Sequence, residues 1–364
     1  MHEGGGHDRY CTIHVDQRVV KKIAQIRVLV SGCFSCPKRF PMNTENSITR
    51  EQIEEIFWTH GLAKNPAVAR ITSGFTNEVY EIDGYILKVC VNSLNEPNFE
   101  REVFLYQMFK GGALTPAPVV VDTSKSLLSK FYMIYPKIQG ESVGRHWHRL
   151  DTSSRREFVG ELCQQLQRMD NFPLESYTQR FGLNTNLVWQ EEVMSGLYHS
   201  LAKVSDQEIP ILPEATLQVI DAYIRNTAYV LKEQKLGLVF WDVQWDNMLI
   251  NSHNKLAALI DFEGISITSI DYRLSIVRAM MERPHIFLSS EMEPYGNTED
   301  YKHLMDWYQE FYQELFDFPE LEKRLDLYEL GDVLDHLPDW PRARQLHERL
   351  EKILQVSCMP HGDL

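Results

Sequence analysis

Three side chains in the C-terminal half of the chain carry oxygen atoms at a spacing that suits phosphoryl-group transfer. Asp242 precedes Asn247 by five residues, and Asp261 follows Asn247 by fourteen. An aspartate that accepts the proton of a hydroxyl group, with an asparagine and a second aspartate that bind Mg²⁺, is the set of groups used in kinase-type phosphoryl transfer. We therefore predict that Asp242 is the catalytic base and that Asn247 and Asp261 are metal ligands.

Two short apolar segments must position these side chains. Residues 242–250 and 257–260 are predicted to form two short strands, which places Asp261 beside Asn247 across a hairpin turn. A single Asp-Asn pair more often only shapes a turn. Because a second strand and a third acidic residue accompany Asp242 and Asn247, the catalytic interpretation is favoured.

A series of β-branched and aromatic segments precedes this region and predicts an antiparallel sheet. Asp83-Gly84 separates two of these segments and is a strong signal for a two-residue hairpin turn. A helix predicted at residues 98–109 interrupts the strand pattern, so that we expect five strands with one inserted helix. The predicted strands cover residues 67–72, 78–82, 85–89, 119–121 and 131–135.

The N-terminal segment differs from the rest of the chain. Residues 1–45 combine a glycine-rich start with scattered prolines, and this composition predicts a disordered leader. A Cys-x-x-His pattern and a Cys-x-x-Cys pattern within it have the spacing of zinc ligands, which is a less favoured alternative. The first clear helix is predicted to begin at Thr49, because Gln52 completes a capping box with it.

Helical periodicity dominates after Asp151 and is interrupted only by the strands near Asp242. The chain is therefore predicted to have an α+β fold with two lobes. A small N-terminal antiparallel β lobe covers residues 46–136, and a larger, mainly α-helical lobe covers residues 137–364. Ligands commonly bind at the junction of two such units, so we expect the active site in a cleft between the lobes.

Lys88 supplies a cation to the predicted β lobe. It lies in an apolar strand segment, where a buried ammonium group needs a partner. Glu102, in the following helix, is the predicted partner, and the pair would position nucleotide phosphates. The alternatives are that Lys88 lies on an exposed strand face or that Glu100 takes the place of Glu102.

The turn between the first two strands is a candidate phosphate-binding loop. It contains Gly74, Thr76 and Asn77, whose backbone N–H groups could cover a triphosphate. The signal is weak on its own, because many hairpin turns have a similar composition.

Bulk charge limits the possible partners. The net charge is −14, and residues 299–339 contain 13 acidic against three basic residues. Such a surface repels phosphate backbones and argues against a nucleic-acid partner. It favours a cationic small molecule, unless the carboxylates only solvate amphipathic helices. Four aromatic residues of this segment either cage such a ligand or belong to the core: Trp307, Tyr308, Phe311 and Tyr312.

Membrane association and secretion are not indicated. No apolar run approaches the roughly 18 residues of a membrane span, and the first residues lack the features of a secretory signal. The six cysteines are scattered, as expected of free thiols in a reducing compartment. We predict a cytoplasmic protein, and the sequence leaves its oligomeric state undetermined.

Over residues 50–340 the chain resembles the aminoglycoside phosphotransferase family, the small-molecule branch of the protein-kinase-like fold. The resemblance rests on residues 73–80, Lys88 with Glu102, residues 133–140 and the set of Asp242, Asn247 and Asp261. It implies ATP and Mg²⁺ as cofactors and a hydroxyl group of a small molecule as the acceptor. It also implies an interlobe hinge whose backbone binds adenine, with Tyr135, Lys137 and Ile138 as the candidate residues.

Two departures from the family pattern bear on activity. Phe240-Trp241 stands where family members usually have His-Gly before the catalytic aspartate, and this change motivates the alternative of a catalytically impaired pseudokinase. The usual Asp-Pro-x-x-Asp segment is also missing, and we expect Asp271 to take over a capping role. A protein kinase is a third alternative, but the chain lacks an activation segment that ends in Ala-Pro-Glu.

Overall fold

The computed structural model describes residues 47–62, 67–71, 77–111, 114–183 and 187–356. The predicted leader, its Cys and His residues, and Gly74 and Thr76 lie outside the described residues. Among the residues that the structure describes, no helix is long and apolar enough to cross a membrane.

Helix α1 (Arg50–Thr59) begins where the sequence predicted. The Thr49 side chain accepts a hydrogen bond from the backbone N–H of Gln52, and the Gln52 side chain accepts one from the N–H of Thr49. This capping box pairs two N–H groups that would otherwise lack a partner at the helix start. The buried face of α1 consists of Ile53, Ile56 and Phe57, which pack on one side of the β-sheet.

The β lobe is built on a five-stranded antiparallel sheet with the order β1-β2-β3-β5-β4. Helix α2 (Glu96–Met108) follows β3 and packs on the opposite side of the sheet from α1. The turn at Asp83-Gly84 has positive φ angles of 46° and 82°, as a two-residue hairpin of type I′ requires. The predicted sheet with one inserted helix is therefore confirmed. Its strands are β1 (Val68–Ile71), β2 (Asn77–Ile82), β3 (Tyr85–Cys90), β4 (Val120–Asp122) and β5 (Tyr132–Pro136).

The strands that carry the predicted catalytic groups differ from the prediction. Strand β7 (Leu236–Phe240) ends before Asp242, which lies in a loop. The predicted hairpin consists only of β8 (Met248–Ile250) and β9 (Leu256–Leu259), and a short strand β6 (Glu141–Ser142) pairs with β8.

The antiparallel partner of β7 is β10 (Ile265–Ser269), a strand that we did not predict. Its sequence alternates isoleucine with serine or threonine, which is compatible with a strand, and four of the five residues are buried, including all three Ser and Thr. The ladder between β7 and β10 determines where the loop that contains Asp242 leaves the sheet.

The rest of the second lobe is helical, as predicted. The helix at Glu214–Thr227 is followed directly by a 3₁₀ turn at Ala228–Leu231. The boundary between the lobes at residue 136 stays a prediction. The helices are α3 (Val143–His146), α4 (Thr152–Asp170), α5 (Leu174–Phe181), α6 (Trp189–Ser205), α7 (Glu214–Thr227), α8 (Tyr272–Glu282), α9 (Leu304–Phe311), α10 (Leu321–His336) and α11 (Arg344–Val356).

Asp271 does not cap helix α8, contrary to our expectation, because its side chain makes no bond to the helix N-terminus. Its carboxylate is fully buried and pairs with Arg324, with Nε–Oδ2 and Nη2–Oδ1 distances of 2.8 and 3.0 Å. The Tyr328 hydroxyl donates a further bond to Asp271. The residue therefore connects helix α8 to helix α10 through a buried ion pair.

Replacement of Arg324 by methionine is expected to destabilise the protein by about 3–5 kcal/mol, because the Asp271 carboxylate would remain buried without its counter-charge. Arg344→Met is the control, since Arg344 pairs with Glu348 at the surface, where an ion pair contributes little. Urea unfolding of the two variants measures the difference. If both variants unfolded at the same urea concentration, the buried ion pair would stabilise the protein no more than the surface pair does.

Candidate active site

Lys88 is the centre of a buried cluster of charged groups. Its Nζ atom lies 2.7 Å from Oε2 of Glu102, 2.9 Å from Oδ1 of Asp261 and 3.3 Å from Oε1 of Glu263. The Lys88 side chain is only 5% exposed, so the alternative of an exposed strand face is wrong. The predicted ion pair is formed with Glu102 and joins strand β3 to helix α2.

The charges in this cluster do not balance. Burial by itself would lower the pKa of Lys88, but the carboxylates of Asp261, Glu102 and Glu263 outweigh it and raise that pKa well above its usual value. Burial raises the pKa of Glu102 to about 7, although Lys88 opposes this shift. Three carboxylates thus share one ammonium group, and an additional cation would relieve their mutual repulsion.

The chemistry of this donor set fits a magnesium ion. Oxygen atoms of Glu102, Asp261 and Glu263 lie within 4.8 Å of one another, and Mg²⁺ prefers carboxylate and other hard oxygen ligands. Glu263 was missed by the sequence analysis, although its position two residues after Asp261 places it in the same turn. Asn77 donates a side-chain hydrogen bond to Glu263, so this residue of the predicted phosphate-binding loop also reaches the cluster.

The segment after β9 aims Asp261 at this cluster. The N–H of Ile260 donates to the carbonyl of Asn247 at 2.9 Å, which holds the two predicted metal ligands side by side. Asp261 itself has a φ of 63°, in the left-handed region that non-glycine residues rarely adopt. A 3₁₀ turn at Phe262–Gly264 then redirects the chain into β10.

Asp242 and Asn247 are joined directly. The Asn247 side-chain N–H₂ group donates to the backbone carbonyl of Asp242 at 3.0 Å and to its Oδ2 at 3.1 Å. Because both bonds use the amide nitrogen, the amide oxygen of Asn247 remains as the atom suited to a cation. Burial, and then the negative charge of Asp261, raises the pKa of Asp242 to about 7. A carboxylate with a pKa near neutrality is well suited to accept a proton.

Gly264 permits the close approach of the two catalytic segments. A Cβ atom at this position would lie only 2.3 Å from Cβ of Asp242 and 3.4 Å from its Cα. The backbone N–H of Trp241 donates to the Gly264 carbonyl at 3.1 Å, so the two chains are also hydrogen-bonded here. Any side chain at position 264 would therefore displace the predicted catalytic base.

Gly264→Ala is expected to lower kcat about 100-fold, the effect of moving a reacting group by about 1 Å. Gly196→Ala is the matched control, because a Cβ atom at Gly196 in helix α6 meets nothing within 4 Å. This control should keep full activity and gain up to about 1 kcal/mol of stability. Steady-state kinetics of both variants test the prediction, and an unchanged kcat for Gly264→Ala would refute it.

Residues of the predicted hinge also make contacts within the β lobe. The Lys137 N–H donates to the Gly84 carbonyl at 2.8 Å, and Lys137 Nζ pairs with Glu81 at 2.6 Å. Lys137 thus joins the end of strand β5 to the hairpin between β2 and β3. The Tyr135 ring, in contrast, lies 6.3 Å from the ring of Tyr106 beside the charged cluster. The nucleotide-binding roles of Tyr135, Lys137 and Ile138 stay predictions.

A model of the phosphotransferase enzyme family (APH) matches residues 67–311, which include both halves of this site. The chain belongs to this family. None of the curated proteins compared with it matches by sequence. Because the matched range covers most of the chain, the family assignment applies to both lobes.

Solved structures of aminoglycoside phosphotransferases share the fold. ADP-bound APH(2'')-Ib is 16% identical with a TM-score of 0.60, and the match covers 85% of this chain and 97% of that one. The GDP and kanamycin complex of APH(2'')-IIIa is 17% identical with a TM-score of 0.60, and the match covers 85% of this chain and 100% of that one. A thermostable APH(4)-Ia mutant with ADP and hygromycin B is 15% identical with a TM-score of 0.57, and the match covers 84% of this chain and 99% of that one. The predicted α+β, bilobal protein-kinase-like fold is thereby confirmed.

In this phosphotransferase, Phe240 occupies the position where the family usually has histidine. The side chain is completely buried, and its ring lies 5.2 Å from the ring of Phe262. Phe262 in turn contacts Tyr106 at 4.9 Å. The aromatic substitution is therefore accommodated by packing, and it leaves Asp242 and Asn247 joined.

The acidic C-terminal segment does not form a ligand cage. Its carboxylates pair with basic residues of other elements, such as Lys203 with Asp335 at 3.1 Å and Arg278 with Asp326 at 2.8 Å. The aromatic residues of helix α9 and its C-terminus belong to the core, which was the predicted alternative to a ligand cage. Trp307, Tyr308 and Tyr312 are buried, and Phe311 packs against the same core.

Proposed function

We propose that this phosphotransferase moves the γ-phosphate of ATP to a hydroxyl group of a small molecule in a Mg²⁺-dependent reaction. One observation carries the proposal: Lys88 contacts Glu102 and Asp261 at the same time. The groups proposed to hold the phosphates and those proposed to hold the metal thus lie around one ammonium group. Such an arrangement accelerates transfer by positioning and charge stabilisation, without a covalent intermediate.

The nucleotide would bind between the lobes. Lys88 would contact its phosphates, with Glu102 holding the lysine in place. The loop before β2 would cover the phosphates with backbone N–H groups, and the hinge would hold the adenine. The residues proposed for these contacts are Gly74, Thr76, Asn77, Tyr135, Lys137 and Ile138.

Asn247 and Asp261 would hold Mg²⁺, and the carboxylate of Glu263 lies close enough to assist. When bound, the ion neutralises charge on the phosphate oxygens. Without it, the excess of carboxylates around Lys88 would repel a triphosphate.

Asp242 would act on the acceptor. Its carboxylate would accept a hydrogen bond from the acceptor hydroxyl and turn the oxygen towards the γ-phosphorus. As the new P–O bond forms, the bond to the leaving ADP oxygen breaks and the hydroxyl proton passes to Asp242. The hydrogen bonds from Asn247 keep the carboxylate oriented during this transfer.

The structural neighbours include complexes with kanamycin and hygromycin B, so an aminoglycoside or another cationic hydroxyl compound is the first candidate. The acidic helices add little support, since their carboxylates pair within the protein.

A screen of acceptors tests this function. Aminoglycosides, amino alcohols and sugars would be incubated with ATP and Mg²⁺, ADP release would be measured, and the phosphorylated product identified by mass spectrometry. Activity that disappears on chelation of Mg²⁺ is the expected result. Tight Mg²⁺–ATP binding without turnover on any acceptor would favour the pseudokinase alternative, and absence of nucleotide binding would refute the proposal.

A further inference from the structure

The hydroxyl group of Tyr106 joins the two halves of the site. Tyr106 lies on helix α2, one turn after Glu102, and is almost completely buried. Its hydroxyl donates to Oε1 of Glu102 at 2.8 Å and accepts from the backbone N–H of Asp261 at 2.9 Å. A single oxygen atom therefore contacts the partner of Lys88 and the proposed metal ligand.

The turn at Asp261 depends on side chains of helix α2. Asp261 lies beyond the end of strand β9 and has a left-handed backbone conformation, and its N–H bonds to the Tyr106 hydroxyl. The next N–H, of Phe262, donates to Oε1 of Glu102 at 3.3 Å. Buried N–H groups require partners, and Tyr106 and Glu102 supply them for two consecutive residues of the turn.

The aromatic ring of Tyr106 has a separate role from the hydroxyl. The ring packs against Phe262 at 4.9 Å and Tyr135 at 6.3 Å, contacts that a phenylalanine would keep. The hydroxyl therefore makes hydrogen bonds that the packing of the ring does not require.

We propose that Tyr106 is a positioning residue that ties helix α2 to the metal-binding turn, so that Glu102 and Asp261 are held as one unit around Lys88. This inference rests on the proposed function, because it assigns Tyr106 to the same nucleotide and metal site. Groups that orient metal ligands in this way typically change metal affinity or activity by about 10- to 100-fold when removed.

The variant Tyr106→Phe tests the inference, because it keeps the ring and removes both hydrogen bonds. We expect Mn²⁺ affinity in the presence of a non-hydrolysable ATP analogue, measured by electron paramagnetic resonance, to fall about 10- to 100-fold. kcat should fall with it, while KM for the acceptor stays close to wild type. Amide hydrogen exchange in the segment that contains Asp261 and Phe262 should become faster.

Tyr312→Phe is the matched control. Tyr312 is also buried, and its hydroxyl donates to an ion-paired carboxylate, that of Asp170, at 2.9 Å. This variant should lose a similar amount of thermal stability and keep wild-type Mn²⁺ affinity.

Two results would contradict us in different ways. If Tyr106→Phe binds Mn²⁺ and exchanges its amides like wild type, the hydroxyl does not position the metal-binding turn and the inference is wrong. If wild-type protein itself fails to bind the metal and nucleotide, the proposed function is wrong and this inference falls with it.

Discussion

Asp242→Asn is expected to lower kcat by about 10²- to 10⁴-fold, the usual contribution of a positioned general base. An amide cannot take up the acceptor proton, but its oxygen can still accept the hydrogen bond that Asn247 donates to Oδ2. The loop should therefore keep its shape. Mg²⁺–nucleotide binding, measured by isothermal titration calorimetry, should stay within a few-fold of wild type.

Asp246→Asn is the matched control for this variant. Asp246 lies in the same loop, and its Oδ1 accepts a hydrogen bond from Ser142, which an amide oxygen also permits. We expect nearly normal turnover from it. If Asp242→Asn turned over as fast as Asp246→Asn, Asp242 would not be the base.

Asp261→Ala is expected to abolish turnover and Mg²⁺-dependent nucleotide binding together. The substitution removes a proposed metal ligand and one of the carboxylates that contact Lys88. The ammonium group would then pair more closely with Glu102 and Glu263. ADP release and metal-dependent nucleotide binding would be measured with a true acceptor.

Alanine at position 261 also introduces backbone strain, because Asp261 has a left-handed conformation. Asp83→Ala controls for this effect, since Asp83 has a φ of 46° in an exposed hairpin turn. It should lose some stability and keep its Mg²⁺ dependence. Near-normal turnover of Asp261→Ala would remove the basis for the proposed function.

Local patterns predicted the β lobe well. The capping box at Thr49, the hairpin at Asp83-Gly84 and the apolar alternation of the strands all depend on residues close together in the chain. The burial cost of an unpaired ammonium group was also enough to predict a partner for Lys88, with Glu102 preferred to Glu100. These features are governed by short-range sterics and by hydrogen bonding within a few residues.

The strand that pairs with β7 could not be predicted in the same way. Ile265 and Ile267 alternate with Ser and Thr, as in a strand, but the burial of the Ser and Thr residues and the pairing with Leu236–Phe240 follow only from the fold. Gly264 was overlooked for the same reason: its need for a hydrogen atom in place of a side chain comes from Asp242, which approaches it across this ladder.

The sequence alone predicted the set of Asp242, Asn247 and Asp261. Few residue types can accept a proton or bind Mg²⁺, and all three residues fall within one short stretch. The hydrogen bonds that hold the turn at Asp261 came only from the folded chain. The Tyr106 hydroxyl reaches the backbone of Asp261, and Glu102 reaches that of Phe262, from a helix more than 150 residues earlier. Such contacts form when the two lobes bury their polar groups against each other, and their distances in sequence carry no signal of them.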